Sequence, residues 1–114
     1  MILHLVLFTP RPDLNPDERA ALVSALERAI RAIPSVRNCR VGRRIRTGTA
    51  YEAAEPQDFQ YCGLIEFDDR AGLEAYLAHP AHAELGRLFY ETSARTLVHD
   101  FEVVPGTAAA SLIV

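Results

Sequence analysis

The segment Ile2-Leu3-His4-Leu5-Val6-Leu7-Phe8-Thr9 limits the possible folds more than any other part of the chain. It is rich in strand-forming residues and apolar at successive positions, His4 excepted. Side chains along a strand alternate between faces, so a half-wetted strand alternates in polarity; this one reads as buried on both faces. A second segment behaves the same way. From Phe59 to Phe67, Phe59, Tyr61, Ile65 and Phe67 share one face while Cys62 and Leu64 occupy the other. Whatever fold the chain adopts has to cover both sides of these two strands.

The remaining elements follow from local signals. The stretch Pro10 to Pro16 is turn chemistry. A helix starts directly after it: Asn15 is a candidate N-cap, Pro16 occupies the first helical position, and Glu18 can close a capping box. Leu22, Leu26, Ala29, Ile30 and Ile33 then define one buried stripe, and Pro34 stops the helix. Val36 to Arg46 alternates as a second strand, with Cys39, Val41 and Ile45 opposite Arg40, Arg44 and Arg46. Gly42 marks a bulge or a close backbone approach. Thr47 to Asp58 reads as a loop. Asp68 or Asp69 caps a short helix carrying Leu73, Tyr76 and Leu77. Pro80 breaks that helix at His79 and opens another, which carries Leu85, Leu88 and Phe89. A last strand, about Thr96 to Val104, sets Leu97, His99, Phe101 and Val103 against Asp100 and Glu102.

The order β-α-β-β-α-α-β predicts an α+β, ferredoxin-like split βαβ fold: a four-stranded antiparallel sheet with helices on one face. The other face would then be bare although two strands are apolar on it. A second copy of the chain covers it most economically, since most oligomers are symmetric dimers. The expectation is a homodimer through the sheet faces, forming a dimeric α/β barrel.

Composition excludes several classes. At 114 residues, 49% hydrophobic and 24% charged, the chain is one domain able to bury a core. No apolar run approaches the roughly 20 residues of a membrane span, and the opening MILHLVLF lacks the basic start and small-residue cleavage site of a secretion signal, so a cytoplasmic protein is expected. Cys39 and Cys62 match neither a metal nor a redox spacing. The formal charge of −3 argues against nucleic acid. The group Arg37, Arg40, Arg43, Arg44 and Arg46 lies on both faces of its strand without aromatic residues to stack bases. His79 and His82, even joined by His4 and His99, lack the carboxylates or thiolates that would complete a metal set. No GxSxG or phosphate loop occurs.

Five segments together, ILHLVLF, IPSVRNCRVGRRI, YCGLIEFDD, LEAYLAHPAHAEL and VHDFEVV, resemble the stress-responsive α/β-barrel family, often called Dabb proteins. The resemblance covers about Met1 to Val104, with Tyr76-Leu77-Ala78-His79-Pro80-Ala81-His82 in register with the most recognisable motif. It implies a domain over residues 1–104, a tail over 105–114, and a ferredoxin-like protomer whose sheets face each other across a dimer. Most members have no assigned reaction; some plant members are stress-associated. One plant branch is a polyketide cyclase performing an intramolecular aldol condensation without metal or organic cofactor. Its histidine and tyrosine match His82 and Tyr76 here, and its flanking histidines match His4 and His79.

The residues carry a chemical reading of their own. At the third helical position His82 meets the positive end of the helix dipole, which favours neutral imidazole, the form a general base needs. Tyr76 can donate its hydroxyl to a developing enolate or alkoxide. Tyr61, Phe59, Phe67 and Phe89 are candidates to line an apolar ligand pocket between helices and sheet. The structural alternative stays open: His79 caps the helix, His82 packs over the sheet, and Tyr76 lends a buried ring a hydrogen-bond partner. Two functions remain: a dimeric protein of unassigned activity that binds a small apolar carbonyl-type ligand, and a cofactor-independent cyclase-like or isomerase-like enzyme using His82 as general base with Tyr76.

Overall fold

The computed structural model describes residues 1–114. Strand β1 (Ile2–Pro10) leads through the turn into helix α1 (Pro16–Ala32), followed by β2 (Asn38–Arg43), a short helix α2 (Ala50–Ala54) and β3 (Tyr61–Phe67). Helices α3 (Arg70–Ala78) and α4 (Pro80–Thr92) then precede β4 (Ser93–Glu102), and a 3-10 turn (Gly106–Ala108) leads to a last helical turn, α5 (Ala110–Ile113). The start of α1 follows its sequence signals closely. The Asn15 side chain accepts the Glu18 N–H at 2.8 Å, and the Glu18 carboxylate accepts the Asn15 N–H at 3.3 Å, which closes the capping box. Asp69, not Asp68, caps α3 by accepting the Gly72 N–H at 2.8 Å.

The sheet has the order β2-β3-β1-β4 with every neighbouring pair antiparallel. The two doubly apolar strands are thus the central ones, as their sequences require. Register assigns the faces. Ile2, His4 and Phe8 of β1 share the helix side with Ile65 and Phe67 of β3, whereas Leu3, Leu5 and Leu7 share the open side with Leu64 and Cys62. The core lies between helices and sheet: Ala25 and Ala29 of α1 with Ile33 at its C-cap, Leu73 and Tyr76 of α3 and Leu85 of α4 close over Ile65 and Phe67. Leu22 and Leu26 of the expected stripe border this core, and Ala25 joins it from the same helix face. Gly42 is a close approach rather than a bulge, since a Cβ there would stand 2.8 Å from Cys62 Sγ while the β2–β3 register runs on unbroken.

Several sequence expectations need correction. Strand β2 is shorter than Val36–Arg46, and Ile45, expected to share a strand face with Cys39 and Val41, lies beyond it and 77% exposed. There Arg44 and Arg46 turn to Asp58 and the chain leaves the ladder. Strand β3 starts at Tyr61, leaving Phe59 outside it. The stretch 47–58 is not all loop. The Glu52 carboxylate gathers the backbone N–H groups of Thr47, Gly48 and Thr49 at 2.7, 2.5 and 3.2 Å, which anchors helix α2 over Ala50–Ala54. Gly48 supplies the left-handed backbone (φ +75°) this wrap requires. In β4, Leu97, His99 and Phe101 do share a face, and register places it on the open side opposite Leu7, Leu5 and Leu3.

Candidate functional site

The break between α3 and α4 builds the site. Pro80 forbids helical geometry at His79, which takes extended angles (φ −75°, ψ 139°) and is at once the C-cap of α3 and the N-cap of α4. His79 Nδ1 accepts the Ala81 N–H at 3.0 Å, so one of its two ring nitrogens is committed to the cap. Counting from the cap, His82 falls at the third helical position, and its backbone N–H returns to the His79 carbonyl at 3.0 Å.

Tyr76, in the last turn of α3, is 2% exposed and forms the hub. Its ring centroid stands 4.6 Å from that of His82, 5.2 Å from Phe67 and 5.7 Å from His4. Burial pushes its phenol pKa up, with a smaller contribution from the Cys39 thiol, so Tyr76 keeps its proton at neutral pH and acts as a donor. His82 is half-buried. Burial lowers its pKa from the usual 6.5, and repulsion from His4 lowers it further against an opposing interaction with the Leu77 carbonyl. The imidazole is therefore mostly neutral at pH 7. A neutral imidazole carries one N–H donor and one unprotonated nitrogen that accepts.

His4 enters from the sheet. Only 6% exposed, it pairs across the β1–β4 ladder with Asp100, whose Oδ1 lies 2.5 Å from His4 Nδ1. A carboxylate at the surface thus holds an imidazole in the interior, fixing the orientation of its ring. Asp100 thus joins the candidate cluster through His4, and nothing local in the sequence singles it out. The alternation of β4 sets Asp100 on the face opposite Leu97, His99 and Phe101 but leaves open which of the two faces meets the helices. Only the strand order and register bring it to His4.

The other candidates separate. Phe67 is fully buried against Tyr76. Tyr61 and Phe89 meet Phe8 at the far end of β1, with ring centroids 5.6 and 5.3 Å from it. Phe59 stands on the open side of the sheet, in a groove of about 480 Å³ with Leu7, Cys62 and Leu97. A second cavity, about 410 Å³, lies between α1 and α4 beside Arg11 and Glu18. Neither is lined by Tyr76 or His82. His4 and His99 point to opposite faces of the sheet, and nowhere do three or more His, Cys, Asp or Glu side chains gather as metal ligands.

These features define a ferredoxin-like α+β protein with a tyrosine–histidine cluster under a proline-broken helix pair. The chain belongs to the stress responsive A/B barrel domain family, whose sequence profile matches residues 2–103. No curated protein matches it. Among solved structures, an Arabidopsis thaliana protein is similar at 18% identity over 91% of this chain and 96% of its own, with a TM-score of 0.76. A protein from Jannaschia sp. CCS1, described as dimeric, ferredoxin-like and of unknown function, shares 25% identity over 90% of this chain and 98% of its own, with a TM-score of 0.72. The hydroxynitrile lyase of Passiflora edulis shares 13% identity over 91% of this chain and 94% of its own, with a TM-score of 0.73. The two below 25% identity bear on the fold alone.

Proposed function

We propose that the protein works as a homodimer joined through its open sheet faces, each copy receiving a small, mostly apolar carbonyl compound beside Tyr76 and His82. One observation carries this reading: a protonated, buried phenol and a neutral, half-buried imidazole stand 4.6 Å apart, centroid to centroid. The Tyr76 hydroxyl donates to the ligand's carbonyl oxygen, and the unprotonated nitrogen of the neutral His82 imidazole accepts from an acidic C–H or O–H next to it. His4, held by Asp100, and His79, at the helix start, flank the ligand, while Phe67 backs Tyr76 from within the core and Tyr61 and Phe89, at the Phe8 end of β1, lie away from this place. Phe59 belongs instead to the opposite face. The apolar open face, with Leu97 37% and Phe101 45% exposed, supports the dimer.

A second reading makes the same pair catalytic, and the protonation states favour it. His82 takes a proton α to the carbonyl while Tyr76 stabilises the enolate oxygen. The enolate carbon then bonds to a second carbonyl carbon of the same molecule, and the imidazolium returns its proton to the resulting alkoxide. Exchange of the α-protons of a 1,3-diketone for deuterium in D2O, followed by NMR, tests both readings. Binding with exchange that falls about 100- to 10,000-fold in His82→Ala supports the enzyme, the usual range for a lost general base. Binding with exchange no faster than in buffer alone leaves the ligand-binding protein. Failure to bind 1,3-diketones, cyclic and open-chain alike, would overturn both.

A further inference from the structure

Two apolar surfaces of this protein face nothing within the chain. One is the open-face groove, floored by Leu7, Cys62 and Leu97, walled by Phe59 and rimmed by Arg43 and Arg44. The other is the segment Pro105–Val114, which carries no charged residue although 24% of the chain is charged. Its last helical turn packs on the 3-10 turn before it, leaving Leu112 47% and Ile113 83% exposed. Each surface is unfavourable in water, and each is what the other lacks.

They do not meet within one copy. The Val103 N–H bonds the Met1 carbonyl at 2.9 Å, so the segment leaves the sheet at its Ile2–Glu102 end. The groove lies at the Leu7–Leu97 end, roughly 17 Å along the strand at about 3.4 Å per residue. We propose that the Pro105–Val114 segment of one copy packs into the open-face groove of a second copy, with Leu112 and Ile113 against Leu7, Cys62 and Leu97. In a face-to-face pair with its two-fold axis across the strands, the Glu102 end of one sheet overlies the Leu97 end of the other. Both tails then dock at once. A segment without charged side chains brings none to compete with the Arg44–Asp58 ion pair of 3.1 Å at the rim. The segment lies beyond residue 103, where the family match ends, so it adds to the shared domain. The inference rests on the face-to-face dimer proposed above.

Two measurements test it. Sedimentation equilibrium compares the full chain with one ending at Val104, which is expected to raise the dimer dissociation constant at least tenfold. Leu112→Cys, in a Cys39→Ala background, is then oxidised and run on a non-reducing gel. Docking brings position 112 within disulfide reach of Cys62, so a covalent dimer forms and disappears when Cys62→Ala is added. Unchanged association together with no covalent dimer overturns the tail contact and leaves the dimer standing. Weaker association without a cross-link overturns the groove as its seat, and a disulfide within one chain shows the tail closing its own groove instead. A full chain that stays monomeric removes both this inference and the dimer beneath it.

Discussion

Replacing Phe101 by alanine separates dimer from protomer. The ring is 45% exposed and sits opposite Leu3 on the open face, away from Ile65 and Phe67. A phenylalanine buries roughly 200 Å², which leaves about 90 Å² for a partner to cover. At roughly 25 cal/mol per Å² that is about 2 kcal/mol, and two-fold symmetry doubles it to about 4 kcal/mol. The methyl group that alanine keeps returns part of this, so the net loss is about 3 kcal/mol, equivalent to a dimer roughly a hundredfold weaker. Sedimentation equilibrium measures the dissociation constant, and far-UV circular dichroism checks that the protomer stays folded. An unchanged dissociation constant with the fold intact would refute the assignment of Phe101 to a buried interface.

Further outcomes follow from the core and the site. Because the folded pKa of His82 is lowered below 6.5, its contribution to stability is present above that value and is lost as pH falls through the folded pKa. Urea melts below pH 6.5 should therefore show falling stability, with a shallower fall in His82→Gln. Asp100→Ala leaves the buried His4 nitrogen unpaired and is expected to cost about 1–3 kcal/mol in a urea melt, and Asp100→Asn less because it keeps an oxygen at the same place. Phe67→Ala opens a cavity at a fully buried position and is expected to cost about 3–5 kcal/mol in the same assay.

The fold was largely legible because its signals are local and complete. The Asn15–Glu18 box and Pro16 mark the start of α1, Pro80 divides α3 from α4, and the unbroken apolar runs of β1 and β3 name the central strands. What stayed hidden depends on contacts between distant segments. Whether the Leu97 or the Asp100 face of β4 meets the helices is undecidable from alternation, since the Leu97 face is apolar for the sake of the open side. The ordering of α2 depends on Glu52 capturing three backbone N–H groups, a tertiary wrap without hydrophobic periodicity. At the candidate site, Tyr76, His79 and His82 are close in sequence, so the proline break alone groups them. His4 and Asp100 are separated by nearly the whole chain, and only the β1–β4 register joins them.

The central claim is that ligands enter on the helix side at Tyr76 and His82, although the groove of about 480 Å³ lies on the other face. Titrating the 15N-labelled protein with a 1,3-diketone and mapping amide shifts tests it most directly. The account predicts that shifts concentrate at Tyr76, Leu77, His79, Ala81 and His82 and vanish in a Tyr76→Phe, His82→Ala double variant. Shifts confined to Leu7, Phe59, Cys62 and Leu97, and unaffected by that variant, would contradict it.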